Sequence, residues 1–236
     1  MKLGFSTLSL FRNNNEEIIK IAKEHNFDMI ELLGEGPFYL NSIDALKGFD
    51  VLIHGPTVDL NIASINRGIR AETIRQLKET VDVAEDIGAR AITIHPGKIG
   101  RKDERLRKAA VGLCIEGVSE LMDYATNVKI SVENMPSRFS FLGNRIDELE
   151  RIQSETGCVL TIDTGHANTC EDCADFFDLD NIYYFHLNDK DGVKDQHVPL
   201  GEGTLDLDLL KKVDEGILEL NTFEKVLKSK DVIDNI

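Results

Sequence analysis

Five of the chain's histidines stand where a short apolar run ends, or in the polar stretch just after one. They are His54 in LIHGP, His95 in TIHPG, His166 in IDTGHA, His186 in FHLND and His197 in DQHVPLGEG. Four carboxylates occupy equivalent places: Glu133 in SVENMP, Asp163 in TIDTGH, Asp195 two residues before His197, and Glu219 in ILEL. Imidazole nitrogens combined with carboxylate oxygens, and no thiolate, suit zinc, manganese or iron better than calcium or magnesium. Taken singly, each residue has an ordinary explanation. A histidine can be satisfied by a backbone carbonyl, a glutamate can pair with an arginine, and Asp163 can cap a helix with His166 in its first turn. Taken together, four carboxylates gathered without cations would cost on the order of several kcal/mol each in repulsion and lost hydration. Bound metal removes that cost, and nine donors match two or three ions.

For these groups to meet, strands must deliver them to one place. Runs with strand character occur at Lys2–Ser6, Met29–Leu33, Val51–His54, Ala91–His95, Lys129–Glu133, Val159–Asp163, Ile182–His186 and Gly216–Leu220. Amphipathic helical stretches lie between most of them, at Asn15–His25, Ala71–Ile87, Glu104–Thr126, Arg145–Thr156 and Leu205–Asp214, and Phe223–Ile236 can close the pattern. Asn15 before Glu16 and Glu17, and Asn144 with Glu148, read as helix starts. His25 reads as a solvent-facing or last-turn residue of the first helix. Eight nearly continuous apolar strands alternating with helices predict parallel strands buried on both faces. A doubly wound open sheet is the competing architecture, but Ser6-Thr7-Leu8-Ser9 is no phosphate-binding glycine loop. The expected fold is therefore a (β/α)8 TIM barrel, with residues 1–236 as one domain. In that fold all the strand ends named above open onto one mouth. Separations run from 23 residues (Asp163 to His186) to 41 (His54 to His95), the step of a βα unit, so each strand supplies its own donor.

The net charge of −15 counts against a broad nucleic-acid-binding face, although bound cations would make the site itself locally positive. The group Arg101, Lys102, Arg105, Arg107, Lys108 is spaced like the solvated face of a helix. Four cysteines make no disulfide scaffold at 236 residues, and the lone Cys170-x-x-Cys173 pair reads as buried or incidental thiols. No run is long enough for a membrane span and the N-terminus lacks secretory character, so a cytoplasmic protein is expected.

From His54 to Glu219 the motifs resemble the endonuclease IV family (AP endonuclease family 2) of the xylose isomerase-like TIM barrels. The resemblance is carried by HGPTVDLNIAS, HPG, VEN, DTGHA, HLND, DQHVPLGEG and ILE. It implies three zinc sites: one at His54, His95 and Glu133, one at Asp163, His186, Glu219 and the second oxygen of Glu133, and one at His166, Asp195 and His197. It also implies hydrolysis of a phosphodiester at an abasic site in DNA. Zinc would supply activated water, and Glu133, as bridging ligand, would orient the nucleophile. The chain departs from the family at Thr57, where an aromatic probe of the base stack is expected; Phe38 and Tyr39 are candidate substitutes or simple packing residues. A sugar isomerase or epimerase on the same barrel is the alternative. It would use Glu133, Asp163, His166, His186 and Glu219 around one manganese-like ion, with two glutamates moving protons. Such an enzyme has no need of His54, His95, Asp195 and His197 together, and no arginine lies in Lys190–Gly203 to hold a sugar oxygen. A non-catalytic metal- or partner-binding barrel is the third reading.

Overall fold

The computed structural model describes residues 1–36, 42–194 and 196–236. The apolar runs form β1 (Lys2–Ser6), β2 (Met29–Leu33), β3 (Asp50–His54), β4 (Ala91–Ile94), β5 (Lys129–Glu133), β6 (Val159–Asp163), β7 (Ile182–Leu187) and β8 (Glu215–Leu218). Each strand pairs in parallel with the next, and β8 returns to β1 through Lys2↔Glu215 to Phe5↔Leu218, so no sheet edge is left. The fold is the (β/α)8 barrel, and the open sheet is excluded. The strands end slightly earlier than expected at β4 and β8, which leaves His95 and Glu219 just past the ladder.

The principal helices are α1 (Asn15–Glu24), α2 (Arg67–Ile87), α3 (Glu104–Tyr124), α4 (Ile146–Thr156) and α6 (Phe223–Ile233), with a single turn α5 (Thr164–Ala167) after β6. Several expected helix starts are corrected. Asn14, not Asn15, caps α1: its side chain accepts from Glu17 N–H while the Glu17 carboxylate accepts from Asn14 N–H. Asn144 caps nothing, because its oxygen is taken by Arg107 and its amide donates to the carbonyls of Pro136 and Arg138. Leu205–Asp214 yields only a 3-10 segment, Leu207–Lys212, because Leu205 is still held in the preceding loop by Asp189. His25 caps the end of α1, half-buried edge-on to Phe223. The basic group on α3 is not a uniformly solvated face either. Arg107 is buried, ion-paired to Glu148 at 2.5 Å and donating to Phe139 O at 2.7 Å.

Strand alternation sends one set of side chains out to the helices and the other into the barrel. The outward set, such as Ile30, Ile53, Ile92, Val132, Leu160 and Phe185, builds the main core. The inward set begins with a layer of Met29, Leu52, Ala91, Tyr184 and Ile217. Gly4 lets that layer close: a Cβ there would lie 2.6 Å from Met29 Cγ and 2.7 Å from Ile217 Cδ1. Below it, at the N-terminal ends of the strands, Arg90 donates to Asp50 and Glu215 at 2.6 Å each, and Lys2 pairs with Asp50 as well. Above it come polar residues. Among the described residues, no helix is long and apolar enough to cross a membrane.

Candidate metal centre

Moving two residues along each strand from the apolar inward layer reaches the same face one step nearer the mouth. Leu52 is followed by His54, Tyr184 by His186 and Ile217 by Glu219. On β5 and β6 the inward pairs are Ser131 then Glu133, and Thr161 then Asp163. The strand ends converge, and His54, His95, Glu133, Asp163, His186 and Glu219 are gathered there.

Among the described residues two donor groups form, and they share a single residue. His54, His95 and Glu133 bring one ligand atom each within 4.8 Å of one another, as do Glu133, Asp163, His186 and Glu219. Glu133 divides its oxygens between them. Oε2 lies 3.4 Å from His54 Nε2 and 3.1 Å from His95 Nε2, while Oε1 lies 3.0 Å from His186 Nδ1. Oε2 is buried and has no well-aligned hydrogen bond. A buried, unsatisfied carboxylate oxygen between two imidazoles fits a divalent cation better than it fits anything the chain itself supplies.

The imidazoles are fixed by hydrogen bonds on their far sides. His54 Nδ1 is 2.9 Å from Gly55 O, His166 Nδ1 is 2.8 Å from Asn134 O, and His197 Nδ1 is 2.9 Å from Glu219 O. A carbonyl at Nδ1 demands N–H there, which places the lone pair on Nε2 and is the usual support for a ligating histidine. His197 reaches its position at φ 45, in the left-handed region that is costly for a residue with a side chain. Asp163 is both a donor and a cap: its Oδ1 accepts from His166 N–H at 2.5 Å, and its Oδ2 accepts from Asn188 at 2.6 Å. The single-residue explanation of Asp163 was therefore correct, and it coexists with the metal-ligand geometry.

Burial alone would lower the pKa of His54. The Glu133 carboxylate, with Glu31 and Glu219 farther off, reverses this and raises it to about 9. His186 is likewise pushed well up against the cost of burial, by Glu31, Glu219 and Glu133. Burial also opposes ionisation of Glu133, but His186 and the imidazoles of His54 and His95 hold its carboxyl well below the usual range. Glu219 is pushed up, chiefly by burial. Without metal, the site gathers protons where cations would sit.

A cavity of about 360 Å³ opens beside this centre. His54, His95, Glu133, His166, His197 and Glu219 line it, together with apolar Ile62, Ile94, Met135 and Phe141. Of the nine expected ligands, seven take part in these contacts or in the two groups through side chains on the mouth. His197 joins them from the loop, its ring 6.3 Å from that of His166. Asp195, Phe38 and Tyr39 lie outside the described residues. Thr57 lines the cavity and is tied to Glu35, whose Oε1 accepts from its N–H and hydroxyl. Cys170 and Cys173 are half-buried free thiols, both pushed up by burial to about 11, the reverse of an activated thiolate.

Sequence reasoning missed three supports. Asn134, beside Glu133, ties β5 to β6 by accepting from Asp163 N–H at 2.6 Å and donating to Asp163 O. Asp189 grips the LGEG loop that carries His197, accepting from the N–H groups of Gly201, Gly203 and Leu205. A Cβ on Gly203 would lie 2.3 Å from Asp189 Oδ1, so glycine is required there. Glu31, wholly buried on β2, is the third. Its signal was available: it stands two residues after the inward-facing Met29 in an otherwise apolar run.

Residues 19–235 match the family described as Xylose isomerase-like TIM barrel. The chain is 30% identical over 200 residues to the probable endonuclease 4 of Thermoplasma volcanium, covering 77% of this chain and 66% of that protein. It also superposes on the crystal structure of a D-tagatose 3-epimerase-like protein, with a TM-score of 0.87 and 27% identity, over 100% of this chain and 96% of that one. The fold is shared, at TM-score 0.78 and 20% identity, with the IOLI protein solved with a zinc atom, over 100% of this chain and 97% of that one.

Proposed function

The chain belongs to the xylose isomerase-like TIM barrel family, and from that premise we propose that it is a multinuclear metal-dependent phosphodiester hydrolase of the endonuclease IV type. The observation that carries this reading is the division of Glu133, one oxygen toward His54 and His95 and the other toward His186. A single-ion enzyme has no use for the first of these groups. Zinc is the metal we assign, with manganese or iron as the other ions such donors accept. Divalent ions held there would supply positive charge for a phosphoryl group and water of lowered pKa as nucleophile.

The chain's own residues do the rest. Glu133 spaces the two groups, Asn134 and Asn188 hold Asp163 in place, and the cavity beside them is of a size to receive one small-ligand unit. A charged ridge accompanies it. The loops after β4 and β5 are stitched by the antiparallel bridge Lys98↔Phe141 and by Ile99 N–H to Ser140 O at 2.7 Å. On them Lys98, Arg101, Lys102 and Arg138 are exposed, with no ion pair to a carboxylate among the described residues. In a chain of net charge −15, an exposed Lys98 on the cavity wall, with further exposed cations on the same two loops, favours an anionic substrate. DNA containing abasic sites is the substrate we assign.

The second reading, a sugar epimerase, is favoured by one specific observation. Glu133, Asp163, His186 and Glu219 make a complete four-donor group without help from β3 or β4. One substitution separates the two. Protein purified without chelator should carry more than one zinc per chain and nick an abasic duplex with a salt-sensitive rate, and H95A should lose both the extra ion and the nicking. A single ion per chain, with H95A fully active on a ketose, would replace the hydrolase with the epimerase.

A further inference from the structure

Glu31 is a carboxylate inside the barrel that neither donor group includes. It lies wholly buried in the middle of β2. Both of its oxygens approach one imidazole nitrogen: Oε1 is 3.0 Å and Oε2 2.9 Å from His186 Nε2. The other nitrogen of the same ring, Nδ1, stands 3.0 Å from Glu133 Oε1 and 3.4 Å from Glu219 Oε2. One imidazole therefore connects Glu31 on the inner side to the four-donor group on the mouth side.

We propose that Glu31 is the positioning residue of that group, holding the proton on His186 Nε2 so that Nδ1 presents its lone pair to the ion. A neutral imidazole has a single lone pair, and here no backbone carbonyl decides where it lies, unlike in His54, His166 and His197. The orientation is also reversed relative to those three, with Nδ1 toward the mouth. A carboxylate on the far nitrogen fixes the tautomer and makes the ring a stronger donor.

A purely structural role is the competing account. Tyr184 donates to Glu31 Oε1 at 2.5 Å and is itself linked to Thr93, which continues to Thr161 at 2.8 Å and Ser131 at 2.6 Å. That chain reaches Oε1 alone, whereas both oxygens of Glu31 lie within 3.0 Å of His186 Nε2, Oε1 hydrogen-bonded to it and Oε2 close by without an aligned hydrogen bond. The geometry points the carboxylate at the histidine, with the tyrosine a further donor to Oε1.

The proposal rests on the reading that the four-donor group binds metal. Chelator-treated wild-type protein, E31Q and Y184F are titrated with zinc against a chromophoric chelator, after a thermal melt of each metal-free protein. In E31Q one binding step should weaken by about 10–100-fold, with the step at His54 and His95 unchanged, and Y184F should leave both steps near wild type. Unchanged binding in E31Q, or equal weakening in E31Q and Y184F, overturns the positioning role. Wild-type protein that binds no zinc overturns the metal reading itself, a different result from either. Nitrogen-15 NMR of zinc-loaded wild-type protein needs no variant. It should show His186 protonated at Nε2 and ligated through Nδ1, and ligation through Nε2 would overturn the proposal.

Discussion

The two ends of the barrel carry the same kinds of acid and treat them differently. At the N-terminal end Asp50 and Glu215 are met by Arg90 and Lys2, cations the chain itself provides, with the Arg90 guanidinium also 5.4 Å over the Tyr183 ring. At the mouth Glu133, Asp163 and Glu219 are buried as deeply or more so, yet they face histidines. An arginine is always charged and finishes its ion pair within the fold. A histidine can give up its proton and leave a lone pair for something else. The floor is electrostatically finished, whereas the mouth is built to be completed from outside.

The largest expected effect comes from the residue both donor groups share. E133Q should lose bound ions and activity together, while the metal-free protein above pH 9, where the His54 proton no longer contributes, keeps its Tm to within about 2–4 °C, the equivalent of 1 kcal/mol in a chain this size. Metal analysis and a melt on the same sample check it, and a collapse in Tm would make the mouth as structural as the floor. Removing metal from wild-type protein should come next. At a free-ion concentration a hundred times Kd, binding contributes about 2.7 kcal/mol, so chelation should lower the Tm by about 5–11 °C. R90A should do the reverse of E133Q. It leaves the half-buried Asp50 and Glu215 with Lys2 alone, destabilises by about 2 kcal/mol, and leaves the ion content unchanged.

The smallest effect is one of pH. With its pKa raised to about 9, metal-free His54 is protonated at neutral pH, and an ion must displace that proton. Apparent affinity should therefore rise about tenfold per pH unit for each proton displaced and level off above about pH 9. The metal-free fold runs the other way. The raised pKa of His54 stabilises it fully below about 6.5, the ordinary histidine value, and this is lost as pH climbs through about 9. Zinc titrations and melts between pH 6 and 10 should show the two trends crossing; parallel trends would mean His54 does not exchange its proton for metal.

Much of this contrast was legible in the residues. Nearly continuous apolar runs marked the strands, and polar side chains at their C-terminal ends marked the mouth, because charge in such a place needs a reason. Glu31 escaped notice because it sits inside MIELL and not at its end; only its two-residue phase with Met29 shows that it faces inward. Asn134 and Asp189 lay inside the very motifs singled out, but their partners are Asp163 on the next strand and a loop a dozen residues on, contacts that exist only once the barrel has closed. Arg107 read as solvated because its burial depends on Glu148, Phe139 and Asn144, which lie far along the chain. The helix expected over Leu205–Asp214 differs for a similar reason: Leu205 is tied back to Asp189 in the preceding loop, and the regular segment starts only after Asp206, which caps the 3-10 turn Leu207–Lys212.

The single shared side chain at Glu133 also limits how this protein's descendants can diverge. Replacing His54 and His95 would leave the four donors Glu133, Asp163, His186 and Glu219 in place. Replacing Glu133 would break both groups in one step.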